Sequence, residues 1–295
     1  SVPDMLIGRP SPCGHPCNTP IADLKPPHFM VVSLYSYRAF IWRHARADLR
    51  YRYAGTGMGI AWNVIHPLAV ITIYSVVFSN LFPSTPEPGA GHLPYTFYLC
   101  AGFFPWMAFS DCVTRGCNSF LVNAAYLKKL PIPEQVFVAQ NAASSSLSLA
   151  INFVLLLVIA VALGWTPGWT WLLLPIPLFC LQALGFGTGL LLGTLNVFFR
   201  DIAEWVDISL KLIMWTVPIV YKLDKEPAWL ATLLRWHPLM PALATTRALF
   251  LDRRLVPIHN ATGYEWLTMF LWPIGITAIA FAVLRRLRPE IRDVI

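Results

Sequence analysis

Between Gln135 and Phe199 the chain reads QVFVAQNAASSSLSLAINFVLLLVIAVALGWTPGWTWLLLPIPLFCLQALGFGTGLLLGTLNVFF, 65 residues without an Asp, Glu, Lys, Arg or His. As one helix this stretch would run roughly 95 Å at about 1.5 Å per residue, three times the ~30 Å of a bilayer's hydrocarbon core. It therefore folds back on itself. The break falls at Gly164-Trp165-Thr166-Pro167-Gly168, where Pro and Gly interrupt a helix and Trp suits a membrane interface. Two spans follow, at about 141 to 163 and 170 to 196.

The rest of the chain supports the same class. Of its 295 residues 56% are hydrophobic and 13% charged, against the ~25% charge of an ordinary soluble domain. Between Arg52 and Glu87 only His66 is ionisable, and between Glu87 and Asp111 only His92, which gives spans near 59 to 82 and 93 to 111. Glu265 and Arg285 enclose a last apolar run at 266 to 284, with Pro273 inside it. A less clean candidate lies at 203 to 222, where Glu204, Asp207 and Lys211 precede the apolar run Leu212 to Tyr221. The expectation is an all-α membrane protein with six transmembrane helices.

Cytoplasmic segments hold the excess of Lys and Arg. Lys25, Arg38, Arg43, Arg46, Arg50 and Arg52 precede the first span, and Arg285, Arg286, Arg288 and Arg292 follow the last, so both termini are expected inside. The segment 222 to 265 disobeys the rule, being outside by count yet holding Lys222, Lys225, Arg235, Arg247, Arg253 and Arg254. The first 30 residues contain no apolar core long enough for a cleavable signal, so insertion is expected to use the first span. Cys13, His15 and Cys17 lack a second ligand pair at zinc-site spacing, and a solvated tail is the expectation there. No disulfide framework is expected from the six Cys.

Several enzyme classes are excluded by their motifs. No Lys precedes Ser or Thr, so there is no phosphate-binding loop, and no His precedes Glu, so there is no His-Glu-x-x-His metal site. No catalytic residue and no metal site is expected. The polar residues lie elsewhere. Over 34 to 53, Leu34, Tyr37, Ile41, Trp42, Ala45 and Leu49 share one side of a helix and Arg43, Arg46 and Arg50 another, with Arg38 and Asp48 close to the apolar side. That pattern suits an interfacial helix or a plain basic flank. Arg50, Arg52 and Tyr53 stand where an anionic lipid head group would arrive. Glu204, Asp207 and Lys211 share one side of the fifth span, which points either to a protein-lined watery path or to a simple Asp207–Lys211 helix pair. Gly185, Gly189 and Gly193 form a small-x-x-x-small stripe for close helix packing. Phe103, Phe104, Trp106 and Phe109 in the second span, with Trp215 and Tyr221 in the fifth, suit interface anchors or platforms for sugar rings. Asn260-Ala261-Thr262 matches a glycosylation sequon, a triplet common by chance.

The order of these motifs resembles a known family. Leu49-Arg50-Tyr51-Arg52-Tyr53, then Gly59-Ile60-Ala61-Trp62 and His66-Pro67-Leu68, resembles the approach to the first span of ABC type 2 polysaccharide-export permeases. Ala101-Gly102-Phe103-Phe104-Pro105-Trp106, Asn118-Ser119 with Leu127-Lys128-Lys129 and Pro133-Glu134, and Asn196-Val197-Phe198-Phe199-Arg200-Asp201 follow in the same order. The tail Arg288-Pro289-Glu290-Ile291-Arg292-Asp293 is similar to O-antigen exporters in particular. The resemblance covers about 34 to 295 and leaves residues 1 to 33 as a cytoplasmic leader without an assigned role.

The resemblance implies a permease subunit, not an enzyme by itself, in the inner membrane of a bacterium. Two copies form a pore at a homodimer interface, and two separate ABC subunits bind ATP and Mg, so this chain holds no cofactor and no nucleic acid. The cargo implied is a polyprenyl-diphosphate-linked glycan, O antigen foremost, with teichoic acid, capsule polymer or a drug as alternatives and a membrane-embedded glycan transferase as a remote one. It also implies an interfacial helix at 34 to 46, a coupling helix at about 119 to 130, and re-entrant gate helices near 226 to 236 and 239 to 251. Residue roles follow on that basis. Arg50, Arg52 and Tyr53 meet the lipid diphosphate, and Tyr126, Lys128, Lys129, Arg200 and Asp201 couple to the ATPase. Trp62, Tyr74, Glu204, Asp207, Lys211, Trp215 and Tyr221 line the pore, and Trp229, His237, Pro238 and Leu239 form the gate. One departure stands out: His237-Pro238-Leu239 replaces the family's usual Asn-Pro-Leu.

Overall fold

A computed structural model describes residues 33–81, 93–130, 132–165, 168–220, 233–234, 236–251 and 263–294. The leader with Cys13, His15 and Cys17, the sequon, Tyr221, Trp229 and most of the first expected gate helix lie outside the described residues. The described residues contain helices and no strand. In chain order these are α1 (Arg38–Tyr51), α2 (Trp62–Leu81), α3 (Leu93–Val122), α4 (Ala124–Lys129), α5 (Gln135–Ala162), α6 (Pro175–Asn196), α7 (Ile202–Thr216), α8 (Met240–Phe250) and α9 (Gly263–Val294). Short 3-10 turns at Gly59–Ala61 and Trp169–Leu173 lead into α2 and α6.

Among the described residues four stretches are long and apolar enough to cross a membrane: Gly59–Val77, Gln135–Ala162, Trp169–Asn196 and Tyr264–Ile291. The reversal between α5 and α6 sits at Gly164, whose φ of 90° is a backbone state that side chains with a Cβ rarely adopt. The other two expected spans differ. α3 has the length but a less apolar sequence, and α7 has 15 residues, roughly 22 Å against a ~30 Å core. It stops at Thr216 rather than at 222, because Pro218 forces Val217 into extended backbone at φ −78° and ψ 132°.

Three further boundaries are corrected by the structure. The second span does not end at Asp111: α3 continues to Val122, because Asp111 and Arg115 find partners on neighbouring helices instead of water. The expected coupling helix at 119 to 130 is two pieces, broken at Asn123, whose side-chain amide donates to the Ser119 carbonyl at 2.8 Å alongside its own backbone N–H at 3.1 Å. The interfacial helix runs past 46 to Tyr51, since Asp48 and Leu49 are held against α5, and then turns at Gly55 (φ 84°).

α3 is the central helix. Phe103, Phe104, Trp106 and Phe109 are all buried in the core it organises, so they are packing residues, neither interface anchors nor pore platforms. α6 lies against α3 along the glycine stripe, which meets a fourth glycine. A Cβ built at Gly116 would stand 2.8 Å from the Gly189 Cα, and one at Gly193 would stand 2.6 Å from the Gly116 carbonyl oxygen. Both distances are shorter than real Cβ contacts allow. Gly187, on another face, admits Thr277 of α9. The four described cysteines, Cys100, Cys112, Cys117 and Cys180, are buried thiols.

Candidate functional site

The strongest polar constellation ties α1 to α3 and α5. Asp48 Oδ2 accepts from Arg115 Nη2 at 2.7 Å and from Ser144 Oγ at 2.6 Å, with Arg52 Nη2 at 3.4 Å. Asp111 pairs with Arg52 at 3.4 Å and with Arg115 at 3.7 Å, and accepts from Ser145 Oγ at 2.5 Å. Asn141 closes the ring, accepting from Arg115 Nη2 at 3.2 Å and donating to its carbonyl at 3.1 Å. Two cations and two anions balance, each side chain about a quarter to a third exposed. Burial pushes the Asp48 carboxyl up, but the Ser144 hydroxyl and the two guanidinium groups outweigh it and hold Asp48 below its ordinary value. Burial likewise lowers Arg52, and Asp111 and Asp48 more than reverse that. The Asp48 that spoiled the amphipathic pattern of α1 is thus its bond to the bundle. Ala45 and Leu49 bury beside it, while Arg43, Arg46 and Arg50 stay exposed.

Next to this network lies a cleft of about 450 Å³ between the α1–α2 turn, α3 and α5. It brings together three of the residues named from sequence, Arg52, Tyr53 and Trp62, with Asn63, His66, Asp111 and Asn152 and an apolar side of Phe104, Met107 and Leu149. Arg50 does not line it. Tyr74, one turn cluster along α2, packs edge-on to Phe103 at 5.8 Å.

The residues expected to couple converge at one end. Leu127 of α4 and Val197 after α6 bury in one small cluster with Phe120, Phe137, Leu284 and Ile291. That anchoring leaves Tyr126, Lys128, Lys129, Arg200 and Asp201 exposed. Buried Glu134 receives Arg288 Nε at 3.0 Å, fastening the end of α9 to the start of α5. Asn196 donates to the Cys117 carbonyl at 3.1 Å and fixes the turn before Arg200.

α7 buries Val206 and Leu210 and presents Glu204, Asp207, Lys211 and Trp215 on its exposed side. Asp207 and Lys211 form no ion pair among the described residues, so the helix-pair alternative is not realised. His237, Pro238 and Leu239 line an apolar cleft of about 360 Å³ together with α7, α3 and α6. His237 Nδ1 accepts from the Leu239 N–H at 3.3 Å across Pro238, a turn bond of the kind an Asn side chain makes at that place. Burial keeps the His237 ring below its ordinary pKa, hence neutral and able to accept.

One residue escaped the sequence reading. Arg247 of α8, counted there only as a violation of the charge rule, is buried. Its guanidinium donates to the Pro218 and Ile219 carbonyls at 2.6 and 2.7 Å and to Tyr98 Oη at 2.9 Å, and it lies 3.9 Å over the Tyr98 ring. Gly102 of α3 leaves the room it needs, since a Cβ there would collide with the guanidinium. Asp111 is a similar case, marking the end of an apolar run in the sequence while pairing with Arg52 and Arg115 in the fold. Only the pattern of a charge recurring on an otherwise apolar helix face marks such residues in advance.

Apolar helices of spanning length, an amphipathic helix fastened to them by internal charge pairs, and a basic end define a multi-pass membrane protein. Its motifs occur in the order of a particular transport family. The chain belongs to the ABC-2 type transporter family, whose model matches residues 36–251. It is similar to the O-antigen export system permease protein RfbA of Klebsiella pneumoniae, 27% identical over 251 residues that make up 84% of this chain and 92% of that protein. The RfbA protein of Myxococcus xanthus is 25% identical over 77% of this chain and 85% of its own length. The polysialic acid transport protein KpsM of Escherichia coli is 21% identical over 76% of this chain and 84% of its own.

Proposed function

We propose that this chain is the membrane subunit of an ATP-driven exporter that moves a polyprenyl-diphosphate-linked polysaccharide, O antigen foremost, across a bacterial inner membrane. The observation that carries the reading is the match to relatives named as O-antigen export permeases over most of both chains. The described geometry supports it in three places. Arg52, Tyr53 and Trp62 meet in one cleft at the foot of α2, where a lipid head group in the membrane interface is within reach. The exposed charges of α4 and of the turn after α6 share one end, a docking place for a separate ATP-binding ABC subunit. The polar side of α7 and the exposed aromatic Trp62 of α2 are uncovered in a single copy, as the lining of a pore between two copies would be.

In this reading six spans place both termini in the cytoplasm, and α8 with the segment before it forms a gate on the far side. ATP and Mg are bound by the partner subunits. Exposed Arg50 meets the diphosphate first, and ATP-driven closure acts through Tyr126, Lys128 and Lys129. The test is a strain lacking the chain, in which lipid-linked glycan accumulates on the cytoplasmic face and the wild-type gene restores surface glycan. Arg50→Ala lowers export while the ATPase still copurifies. Normal surface glycan in the deletion strain would overturn the assignment.

A further inference from the structure

Two sequence motifs have no role in the proposed export, Pro133-Glu134 after α4 and Arg288-Pro289-Glu290-Ile291-Arg292-Asp293 at the end of α9. The fold brings them together. Glu134 Oε2 lies 3.0 Å from Arg288 Nε, with the Glu134 side chain fully buried and that of Arg288 about a third exposed. Residues 133 to 138 are all buried, so α5 begins inside the protein rather than at its surface. Gln135, the next residue, is equally buried and donates from Nε2 to Ser33 Oγ at 2.8 Å, which adds the approach to α1 to the same corner.

A carboxylate in that place depends on its cation, because a buried charge left unpaired is strongly destabilising. The apolar cluster of Phe120, Leu127, Phe137, Val197, Leu284 and Ile291 already supplies cohesion at this end without any charge. What the ion pair adds is register. Apolar contacts are non-directional and tolerate small shifts, whereas a charge-assisted contact to a guanidinium fixes distance and direction. Position decides what is held. α4 ends at Lys129, Leu130 continues in extended backbone at φ −117° and ψ 140°, and Glu134 lies at the end of the strap that follows. α4 buries Leu127 and nothing else, so its pose depends on that strap. Glu134 has no exposed surface and cannot touch a docked subunit, so any effect it has on docking passes through α4.

We infer that Glu134 and Arg288 are a positioning pair for coupling: they hold the strap after α4 in register with the end of α9, so that displacement of a docked subunit reaches α9 as well as α3. The inference rests on the proposed docking of an ATP-binding subunit at α4. The test complements the deletion strain with variants. It measures surface glycan per copy of the chain, the ATPase subunit that copurifies, and the melting temperature and MgATP hydrolysis of the purified complex. Arg288→Met strands the buried carboxylate and lowers the melting temperature, and Glu134→Gln combined with Arg288→Met removes both charges and restores most of it. Surface glycan falls about twofold to thirtyfold in both, while the ATPase still copurifies and hydrolyses MgATP. Arg288→Lys keeps a cation but not the fixed donor geometry, and falls between wild type and Arg288→Met. Export that recovers with the melting temperature in the double variant would make the pair structural only and overturn the inference. Loss of the copurifying ATPase from the double variant would overturn it too, assigning the corner to assembly. A wild-type complex without an ATPase subunit, or normal surface glycan in the deletion strain, would overturn the export reading and the inference with it.

Discussion

Replacing Arg247 by Leu is the sharpest probe of how the segment after α7 is held. The guanidinium makes three hydrogen bonds of 2.6 to 2.9 Å, two of them to the carbonyls of Pro218 and Ile219 just past the end of the helix. A hydrogen bond to a charged group contributes about 1.5–3 kcal/mol, and Leu supplies none. Against that, Leu removes a desolvated cation that no carboxylate neutralises among the described residues, and it refills most of the volume. The net loss expected is about 2–4 kcal/mol, which raises the open population of residues 217–220 roughly thirtyfold to seven-hundredfold. Hydrogen exchange of the peptide covering Val217 to Val220, followed by mass spectrometry in nanodiscs, reads this directly. Gly102→Ala, which displaces the guanidinium without touching it chemically, gives the same regional effect. Arg247→Lys keeps the charge but not the fork of donors, and falls between. Wild-type exchange at 217–220 in Arg247→Leu would refute the reasoning, whatever happened to transport.

The other expectations concern packing and the charge network. Gly116→Val or Gly193→Val pushes a side chain into backbone across the α3–α6 seam and lowers the melting temperature by an amount equivalent to about 1–3 kcal/mol or more, whereas Gly275→Ala, which meets open space, leaves it unchanged or higher. A double-mutant cycle on Asp48→Ala and Arg115→Ala returns a coupling of about 1–2 kcal/mol, reduced from the fully buried case because a quarter of each side chain is in solvent. Since Asp48 is depressed in the folded chain, its contribution is complete above its ordinary value of 3.8 and is lost as pH falls through the lower folded value. An acid titration of melting temperature shows that limb in wild type, and Asp48→Asn flattens it.

The apolar accounting located the helices because hydrocarbon tolerates so few charges, and the reversal at Gly164 was legible from Gly and Pro alone. The ends of α1 and α3 were not legible, for one shared reason. Asp48, Asp111 and Arg115 each look like the polar limit of an apolar segment, and only the fold shows that they limit one another. Arg247 is a similar case: a charge count assigns it to an aqueous loop, whereas two backbone carbonyls freed by Pro218 stabilise it inside. Of the residues named for function, Arg52, Tyr53 and Trp62 do come together, and so do the exposed groups around Lys128 and Arg200. The amides that complete the cleft, Asn63 and Asn152, carry no signal in one sequence, since an isolated Asn on an apolar helix reads as packing.

The meeting of Gly116 with Gly189 and Gly193 constrains how any work can be transmitted. Backbones that touch without intervening side chains have no rotamers to exchange between them, so α3 and α6 pack as one closely joined beam. α2 and α7, by contrast, rest on that beam through narrow strips, Asn63 and Ile71 on one and Val206 and Leu210 on the other. The cheap degrees of freedom are the tilts of the two outlying helices, and a second copy of the chain would find those helices, rather than the beam, ready to move.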